Sequence, residues 1–130
     1  RGDDMKTFAK YLLAAAIGVT AITAPVAAVA ADLYGAIAYS PTSKAYGWAK
    51  DYGTQVEAEN AAMNECYKRA GDCRIAVWFV NACGSVSAGP EGWGADWGNN
   101  NREAERKSTR LCSDYSYGCQ TLTTQCVSGR

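Results

Sequence analysis

Two aspartates hold matching places in a pattern that the chain contains twice. Residues 47–53 (GWAKDYG) recur as residues 92–98 (GWGADWG), so Asp51 and Asp96 each lie between a tryptophan and a glycine. Two carboxylates flanked by aromatic rings suit hydrolysis of a glycosidic bond, provided that the fold brings them together. The structural alternative, which we favour, is that each aspartate forms Asx-type hydrogen bonds to the backbone at the turn into the next helix.

The composition restricts the other catalytic options. The chain has no histidine, which excludes Ser-His-Asp and Cys-His pairs and any histidine-ligated metal centre. The cysteines contain no Cys-x-x-Cys pair and match no common zinc spacing, so neither a metal nor a cofactor is expected. Whether the protein is an enzyme stays open, and a role without catalysis is the simpler interpretation.

The six cysteines form two triplets, which are Cys66, Cys73 and Cys83, then Cys112, Cys119 and Cys126. In an exported chain, an even set of this kind indicates a disulfide framework. Because a symmetric fold pairs its cysteines symmetrically, we predict Cys66–Cys73 and Cys112–Cys119 as equivalent local bridges. We predict Cys83–Cys126 as a bridge between the two halves. With every thiol paired, no cysteine nucleophile remains.

Aromatic side chains are the other candidates for function. Trp48, Trp93 and Trp97 lie beside glycines on predicted hairpins, and Tyr52 is close to Trp48 in sequence. Such rings often cover the bare backbone of a neighbouring glycine, which is a structural role. The functional interpretation is an exposed aromatic surface that stacks on sugars or anchors a protein partner. We predict these four residues as the binding residues, and Trp78 as a core residue at least in part.

The elements that must position these residues follow a repeated order. Residues 34–40 and 45–51 resemble a hairpin, Thr54 and Glu57 form a capping box, and residues 74–80 form the most apolar strand. Strands at 85–89, 93–97 and 120–125, with a helix capped by Asn100 and Glu103, repeat the order. The sequence predicts a disulfide-stapled α+β fold, a duplicated β-β-α-β unit with pseudo-two-fold symmetry. We expect a mixed sheet of about six strands with two helices on one side.

The N-terminal segment has the anatomy of a secretory signal peptide. Lys6 and Lys10 precede an alanine-rich apolar stretch, and small residues at Ala30 and Ala31 mark the expected cleavage site. A transmembrane anchor is the competing interpretation. We predict residues 1–31 as an N-terminal extension and signal peptide. Residues 32–130 would form a single duplicated domain, with repeats at 34–83 and 84–126 and no membrane span after cleavage.

The motifs of the first half are similar to those of a known bacterial family. They are Tyr-Gly-Ala-Ile-Ala-Tyr-Ser from Tyr34, then Gly47-Trp48, an alanine-rich helix ending in Cys66, Cys73 before an apolar strand, and Asn81-Ala82-Cys83-Gly84. Together they resemble the bacterial exported domain-of-unknown-function family 4189, over essentially all of residues 33–126. The resemblance implies a secreted or periplasmic bacterial protein. It implies no activity and no catalytic residue.

These observations predict an exported binding module of the bacterial envelope or extracellular space. Its partner would be a protein or an envelope glycan, and inhibitor or immunity-type roles belong to this class. Nucleic acid is excluded as a partner because 13 basic side chains are balanced by 13 acidic ones, whereas phosphate contacts need a basic excess. The alternatives are a small cell-wall glycan hydrolase that uses Asp51 and Asp96, and a secreted effector. The sequence does not indicate the oligomeric state.

Overall fold

The computed structural model describes residues 17–25 and 30–130, so most of the predicted signal peptide lies outside the described residues. The elements are β1 (Tyr34–Tyr39), β2 (Tyr46–Tyr52), α1 (Gln55–Tyr67), β3 (Arg74–Val80), β4 (Cys83–Ala88), β5 (Trp93–Gly98), α2 (Asn101–Ser113) and β6 (Gln120–Cys126). Neither helix in this part of the chain has the length and apolar character needed to cross a bilayer.

Both helices begin where the sequence predicts them to begin. The Thr54 side chain accepts a hydrogen bond from the backbone N–H of Glu57 at 3.2 Å, and Asn100 accepts one from Glu103 at 2.9 Å. Each side chain satisfies an N–H group that has no partner inside the helix, and thereby fixes the first turn. The two predicted N-caps are confirmed. The Glu103 carboxylate also accepts a bond from the Asn99 N–H at 3.2 Å, which gives the second helix a reciprocal capping contact.

The predicted α+β class and the duplicated β-β-α-β unit are confirmed, but the strands are arranged differently from one mixed sheet. They form two antiparallel sheets of three strands, in the orders β2-β1-β3 and β5-β4-β6. In each half the first strand is central, the hairpin partner lies on one side, and the strand after the helix lies on the other. β3 contacts β4 and β5, while β6 contacts β1 and β2, as a two-fold relation between the halves requires.

The central strands explain why there are two sheets and why the helices lie on opposite outer faces. Ile37 and Tyr39 of β1 pack in the core between the sheets with Val86 of β4. Ala36 and Ala38, on the other face of β1, pack with the buried alanines of α1. Both faces of β1 are therefore apolar and both must be covered. The layers run α1, first sheet, second sheet, α2, and each helix contacts only its own sheet among the described elements.

Two glycines show how the halves correspond. A Cβ on Gly47 would lie 2.2 Å from the backbone nitrogen of Cys66 in α1, and one on Gly94 would lie 2.3 Å from that of Cys112 in α2. Gly47 therefore corresponds to Gly94 and not, as the motifs suggest, to Gly92. Gly94 lies two residues after Gly92, so the structural correspondence of the two hairpins is displaced by two residues from the one that the motifs suggest. A slip of two residues keeps every side chain on its own face, so the alternation of the sequence does not reveal it.

The three predicted disulfides are present. Cys66–Cys73 and Cys112–Cys119 are equivalent local bridges, each with 6.1 Å between Cα atoms. The Cys83–Cys126 pairing is also confirmed, but its expected position between the halves is wrong. Cys83 is the first residue of β4, so this bridge joins β4 to β6 within the second sheet.

The first sheet has no cysteines at the position of the Cys83–Cys126 bridge. Its equivalent cross-strand pair is Tyr34 with Val80. The third disulfide is therefore specific to the second half, and the two cysteine triplets do not correspond one to one. Their similarity in sequence comes from two equivalent local bridges plus one pair that belongs to a single sheet.

The interior between the second sheet and α2 is polar. Ser108 of α2 bonds to Ser87 at 3.0 Å and to Ser85 at 3.1 Å, and Thr124 bonds to Ser85 at 3.1 Å and to Glu105 at 2.9 Å. The three serines are fully buried, and the bonds satisfy their hydroxyls. The equivalent positions of the first half are all alanine, namely Ala36, Ala38 and Ala62.

Candidate functional site

Four aromatic side chains form a continuous surface that crosses both sheets, which we call the aromatic band: Tyr34, Tyr52, Trp78 and Trp97. Tyr52 is the cross-strand neighbour of Tyr34, whose ring centre lies 6.4 Å from that of Trp78 at an interplanar angle of 26°. Trp78 and Trp97 line one cavity of about 500 Å³ between β3 and β5. Tyr52, Trp78 and Trp97 are 38%, 42% and 47% exposed, so large parts of their rings are available to a ligand.

The packing of Phe79 explains why Trp78 faces outwards. Phe79 is 1% exposed, and its ring occupies the space beside Gly35 of β1 and Gly84 of β4, where added Cβ atoms would lie 2.3 and 2.4 Å away. Successive side chains of a strand point to opposite faces. Because Phe79 is held in the core between the sheets, Trp78 must lie on the outer face. Its ring there stacks beside Tyr34.

The outer end of the aromatic band carries a charged rim. The Lys107 ammonium lies 4.8 Å from the ring centre of Trp97, which is cation–π distance. The same ammonium is 3.8 Å from a carboxylate oxygen of Asp96. An apolar centre with hydrogen-bonding groups at its edge is the usual arrangement of a specific binding surface.

The four predicted binding residues do not share one surface. Tyr52 and Trp97 belong to the aromatic band. Trp48 is 40% exposed on the edge strand β2, away from β5, in a groove beside α1. Trp93 is half-buried, and its ring centre lies 5.1 Å from that of the buried Tyr39, so its packing is structural.

Two residues of the band, Tyr34 and Trp78, were not among the predicted binding residues. Trp78 was predicted to lie at least partly in the core, although its ring is 42% exposed. The available signal was the alternation of β3, in which Val77 and Phe79 are buried on one face. That alternation requires Trp78 to face the other way.

The two aspartates of the hydrolase hypothesis lie far apart. Asp51 is on β2 and Asp96 is on β5, which make no contact with each other among the described elements. β2 and β5 differ by two strand spacings, about 10 Å, and by one sheet spacing, also about 10 Å, which places them about 14 Å apart. A carboxylate pair for glycoside hydrolysis needs a separation of roughly 5 to 9.5 Å in one cleft. This geometry argues against the alternative in which the two carboxylates pair, and Asp96 corresponds in register to Ala49 rather than to Asp51.

Each aspartate instead holds backbone. The Asp96 carboxylate accepts a hydrogen bond from the N–H of Trp97 at 2.8 Å. Asp51 adopts φ 64° and accepts bonds from the Ser128 N–H at 2.7 Å and the Ser128 hydroxyl at 2.6 Å. These two bonds favour the charged carboxylate and hold the pKa of Asp51 below its ordinary value. Asp51 thus fixes the segment after β6 to β2.

Comparison with known proteins defines the family. The model of the family described as "Domain of unknown function (DUF4189)" matches residues 34–126, from the first residue of β1 to the last residue of β6. The chain belongs to the DUF4189 family. Both halves, all three disulfides and the whole aromatic band lie inside this DUF4189 region.

Relatives of this DUF4189 domain occur in mycobacteria. Protein Rv1269c of Mycobacterium tuberculosis and Protein Mb1300c of Mycobacterium bovis are each 44% identical to the chain over 59 residues. The aligned stretch is 45% of this chain and 44% of each relative, so the match spans less than half the length of those proteins. No solved structure matches the chain.

In the DUF4189 domain the cysteines and the core serines are engaged within the fold, whereas aromatic rings reach solvent. Its cysteines are all in disulfides, and its serine hydroxyls between α2 and the second sheet are buried and bonded to each other. The groups that reach solvent in a coherent arrangement are the aromatic rings of the band. Aromatic rings bury large apolar areas at low cost in side-chain entropy, which suits them to binding.

Proposed function

We propose that the protein is an exported binding module that holds a glycan or protein partner in the bacterial envelope or outside the cell. The observation that carries this proposal is the aromatic band, where Tyr34, Tyr52, Trp78 and Trp97 follow one another across both sheets. Tryptophan and tyrosine are the side chains most often responsible for binding energy at protein surfaces. An inhibitor or immunity-type role belongs to the same class.

The scaffold supports an extracytoplasmic role. Disulfides persist in oxidising compartments, and the three bridges close every cysteine of the chain. The predicted signal peptide at residues 1–31 agrees with export. Two of the bridges fix the end of each helix to the following strand, which keeps the sheets under the aromatic band rigid. A rigid surface loses little conformational entropy when it binds.

The test removes the two most exposed rings of the aromatic band. The Trp78→Ala/Trp97→Ala double variant is compared with wild type for sedimentation with purified peptidoglycan and for binding to separated envelope proteins. We expect binding to weaken roughly tenfold or more, because tryptophans at the centre of an interface dominate its energy. Binding to peptidoglycan identifies a glycan partner, and binding to a protein fraction identifies a protein partner.

The matched control is Tyr115→Ala/Tyr117→Ala, which removes two rings that are 70% and 66% exposed and lie outside the aromatic band. We expect this variant to bind as wild type does. Near-ultraviolet circular dichroism confirms that each variant is folded. Wild-type binding by a folded Trp78→Ala/Trp97→Ala variant, or an equal loss in the control, would overturn the assignment of the band.

A further inference from the structure

A second surface lies along the free edge of the first sheet and adjoins the aromatic band at Tyr52, which belongs to both. β2 is the outermost strand in the order β2-β1-β3. Beside it is a groove of about 1050 Å³ that runs between β2 and the C-terminal half of α1. We call it the β2 groove and define it by Trp48, Lys50, Lys68 and Arg69, which line it.

The main chain of β2 offers hydrogen-bonding groups to this groove. The carbonyl of Ala45 accepts a bond from the N–H of Ser40, so it points towards β1. Main-chain groups in an antiparallel strand alternate in direction, so those of Tyr46, Trp48 and Lys50 point away from the sheet. Arg69 confirms this direction, since its guanidinium donates to the Tyr46 carbonyl at 3.2 Å. Trp48 and Lys50 therefore present N–H and C=O groups on an open edge.

The charge of the β2 groove selects the kind of chain that can use this edge. Three cations, Lys50, Lys68 and Arg69, line it together with a single carboxylate, Glu65. Glu65 already pairs with Lys68 at 2.8 Å, which leaves a net positive groove. An edge lysine discourages strand pairing with neutral or basic chains. It favours a strand that carries carboxylates, because opposite charges on neighbouring strands attract.

Comparison with the second half shows that the fold does not require the cations Lys68 and Arg69 at these positions. Lys68 caps the end of α1, and the residue that caps α2 is Asp114. Arg69 corresponds to Tyr115, and Trp48 corresponds to Ala95 of β5. The second half thus has no cation at the places of Lys68 and Arg69, although Lys107 and Arg110 occupy the places of Ala61 and Asn64. The two edges therefore differ in where their cations lie.

We propose that β2 accepts an extended acidic segment of a partner protein, which adds as a fourth strand to the first sheet. The main-chain groups of Trp48 and Lys50 would pair with the segment, as in other cases of strand addition. Because Gly47 and Ala49 face α1, Lys50 lies on the opposite face of β2. Carboxylates on one face of the segment would therefore meet Lys50, and carboxylates on its other face would meet Lys68 and Arg69. This proposal does not rest on the aromatic band, and each can fail without the other.

The experiment uses an unlabelled peptide of glutamate and valine with blocked ends, in which glutamates lie on both faces of the extended chain. Binding to the oxidised, 15N-labelled protein is followed by NMR, together with hydrogen exchange of backbone amides. We expect the Trp48 and Lys50 amides to become protected, whereas Gly47 and Ala49, which already face β1, change little. A lysine–valine peptide, a glutamate–valine peptide interrupted by proline, and a polyuronate glycan serve as comparison probes.

Two variants test the charges of the β2 groove. Lys50→Glu/Lys68→Glu should weaken binding of the acidic peptide roughly tenfold, because two exposed attractions become repulsions. Arg102→Glu/Arg106→Glu makes the same charge change on the exposed face of α2 and should leave binding unchanged. The Trp78→Ala/Trp97→Ala variant should also bind the peptide as wild type does, which separates this test from that of the aromatic band.

Three outcomes would overturn the proposal. The first is no binding of the acidic peptide at millimolar concentration. The second is equal binding of the proline-interrupted peptide or the polyuronate without protection of Trp48 and Lys50, which would indicate a general anion site. The third is equal weakening by Arg102→Glu/Arg106→Glu, which would indicate an effect of net charge alone.

Discussion

Replacing Gly47 and Gly94 by alanine tests the correspondence between the two halves. A Cβ on Gly47 would lie 2.2 Å from the Cys66 nitrogen and 2.6 Å from the Ala62 carbonyl oxygen, and Gly94 has equivalent contacts with α2. Ordinary contacts of a Cβ begin near 3.4 Å. Each helix would have to withdraw by about 1 Å, and no side chain can rotate to avoid this because the opposing atoms are backbone.

Overpacking of this kind costs about 1 to 3 kcal/mol, and a clash with backbone belongs at the upper end. For a domain of this size, about 3 kcal/mol lowers the melting temperature by roughly 15 °C. The contrast is Gly92→Ala, whose Cβ would meet the Cβ of Tyr115 at 2.6 Å. The Tyr115 Cβ is fixed to its backbone, and the Tyr115 carbonyl oxygen would also lie 3.1 Å away, so the turn after α2 must shift. Because this turn is exposed and is not packed on the sheet as α2 is, we expect a loss of about 1 kcal/mol, at the lower end for overpacking.

The assay is thermal unfolding of the oxidised protein, followed by circular dichroism without reductant. Gly47→Ala and Gly94→Ala should show similar large decreases in melting temperature, and Gly92→Ala a small one. The reasoning fails if Gly92→Ala is as destabilising as Gly94→Ala. It also fails if both helix-facing variants melt within a few degrees of wild type.

Two further predictions concern buried hydroxyls and a titrating group. Ser108→Ala should lower the free energy of unfolding by about 1 to 2 kcal/mol. The Ser85→Ala/Ser87→Ala/Ser108→Ala variant should lose less than the sum of the three single variants, because it removes donors and acceptors together. Urea unfolding measures these losses, and additive shifts of the midpoints would contradict the prediction. Ser128→Ala should raise the pKa of Asp51 in an NMR titration, since the Ser128 hydroxyl is the largest cause of its lowering. The stabilisation from this contact is present above the ordinary aspartate pKa and is lost as the pH falls through the lowered pKa of Asp51. The free energies of unfolding of variant and wild type should therefore converge in acid. An unchanged pKa of Asp51 in the variant would contradict the assignment.

Local signals in the sequence were sufficient for the elements and for the two local disulfides. Thr54 and Asn100 identify the two helix starts because side-chain caps act within one turn. The seven-residue separations of Cys66–Cys73 and Cys112–Cys119 identify equivalent bridges. These features depend on neighbours along the chain, so the sequence alone carries them.

The arrangement of the sheets depends on contacts that no local pattern records. β1 is an uninterrupted apolar run, which is consistent with a central strand of one large sheet and equally with a strand between a helix and a second sheet. The ring of Phe79 decides between these two arrangements, because it fits between Gly35 of one sheet and Gly84 of the other. That fit joins residues 49 positions apart, so the expected single sheet could not be distinguished from two.

The candidate site was predictable in residue type but not in grouping. Tyr52 and Trp97 lie in the aromatic band, Trp48 shares the β2 groove with Tyr52 but lies away from Trp97, and Trp93 packs on Tyr39. Which aromatic residues lie together depends on how the strands of one sheet stack on those of the other. The alignment of the two motifs, which was displaced by two residues, does not show this. The same displacement produced the apparent equivalence of Asp51 and Asp96.

Duplication gives this fold an internal comparison that a single-copy domain lacks. Positions that hold the same structural place, such as Gly47 and Gly94, keep the same residue because the close approach of helix and sheet demands it. Where equivalent places differ without a packing reason, the difference points to a separate role for each half. Lys68 against Asp114 and Arg69 against Tyr115 are such places, since all four side chains are exposed and none fills the core. The cations of the β2 groove are such a difference, and the charge reversals at Lys50 and Lys68 test whether the first half uses it for binding.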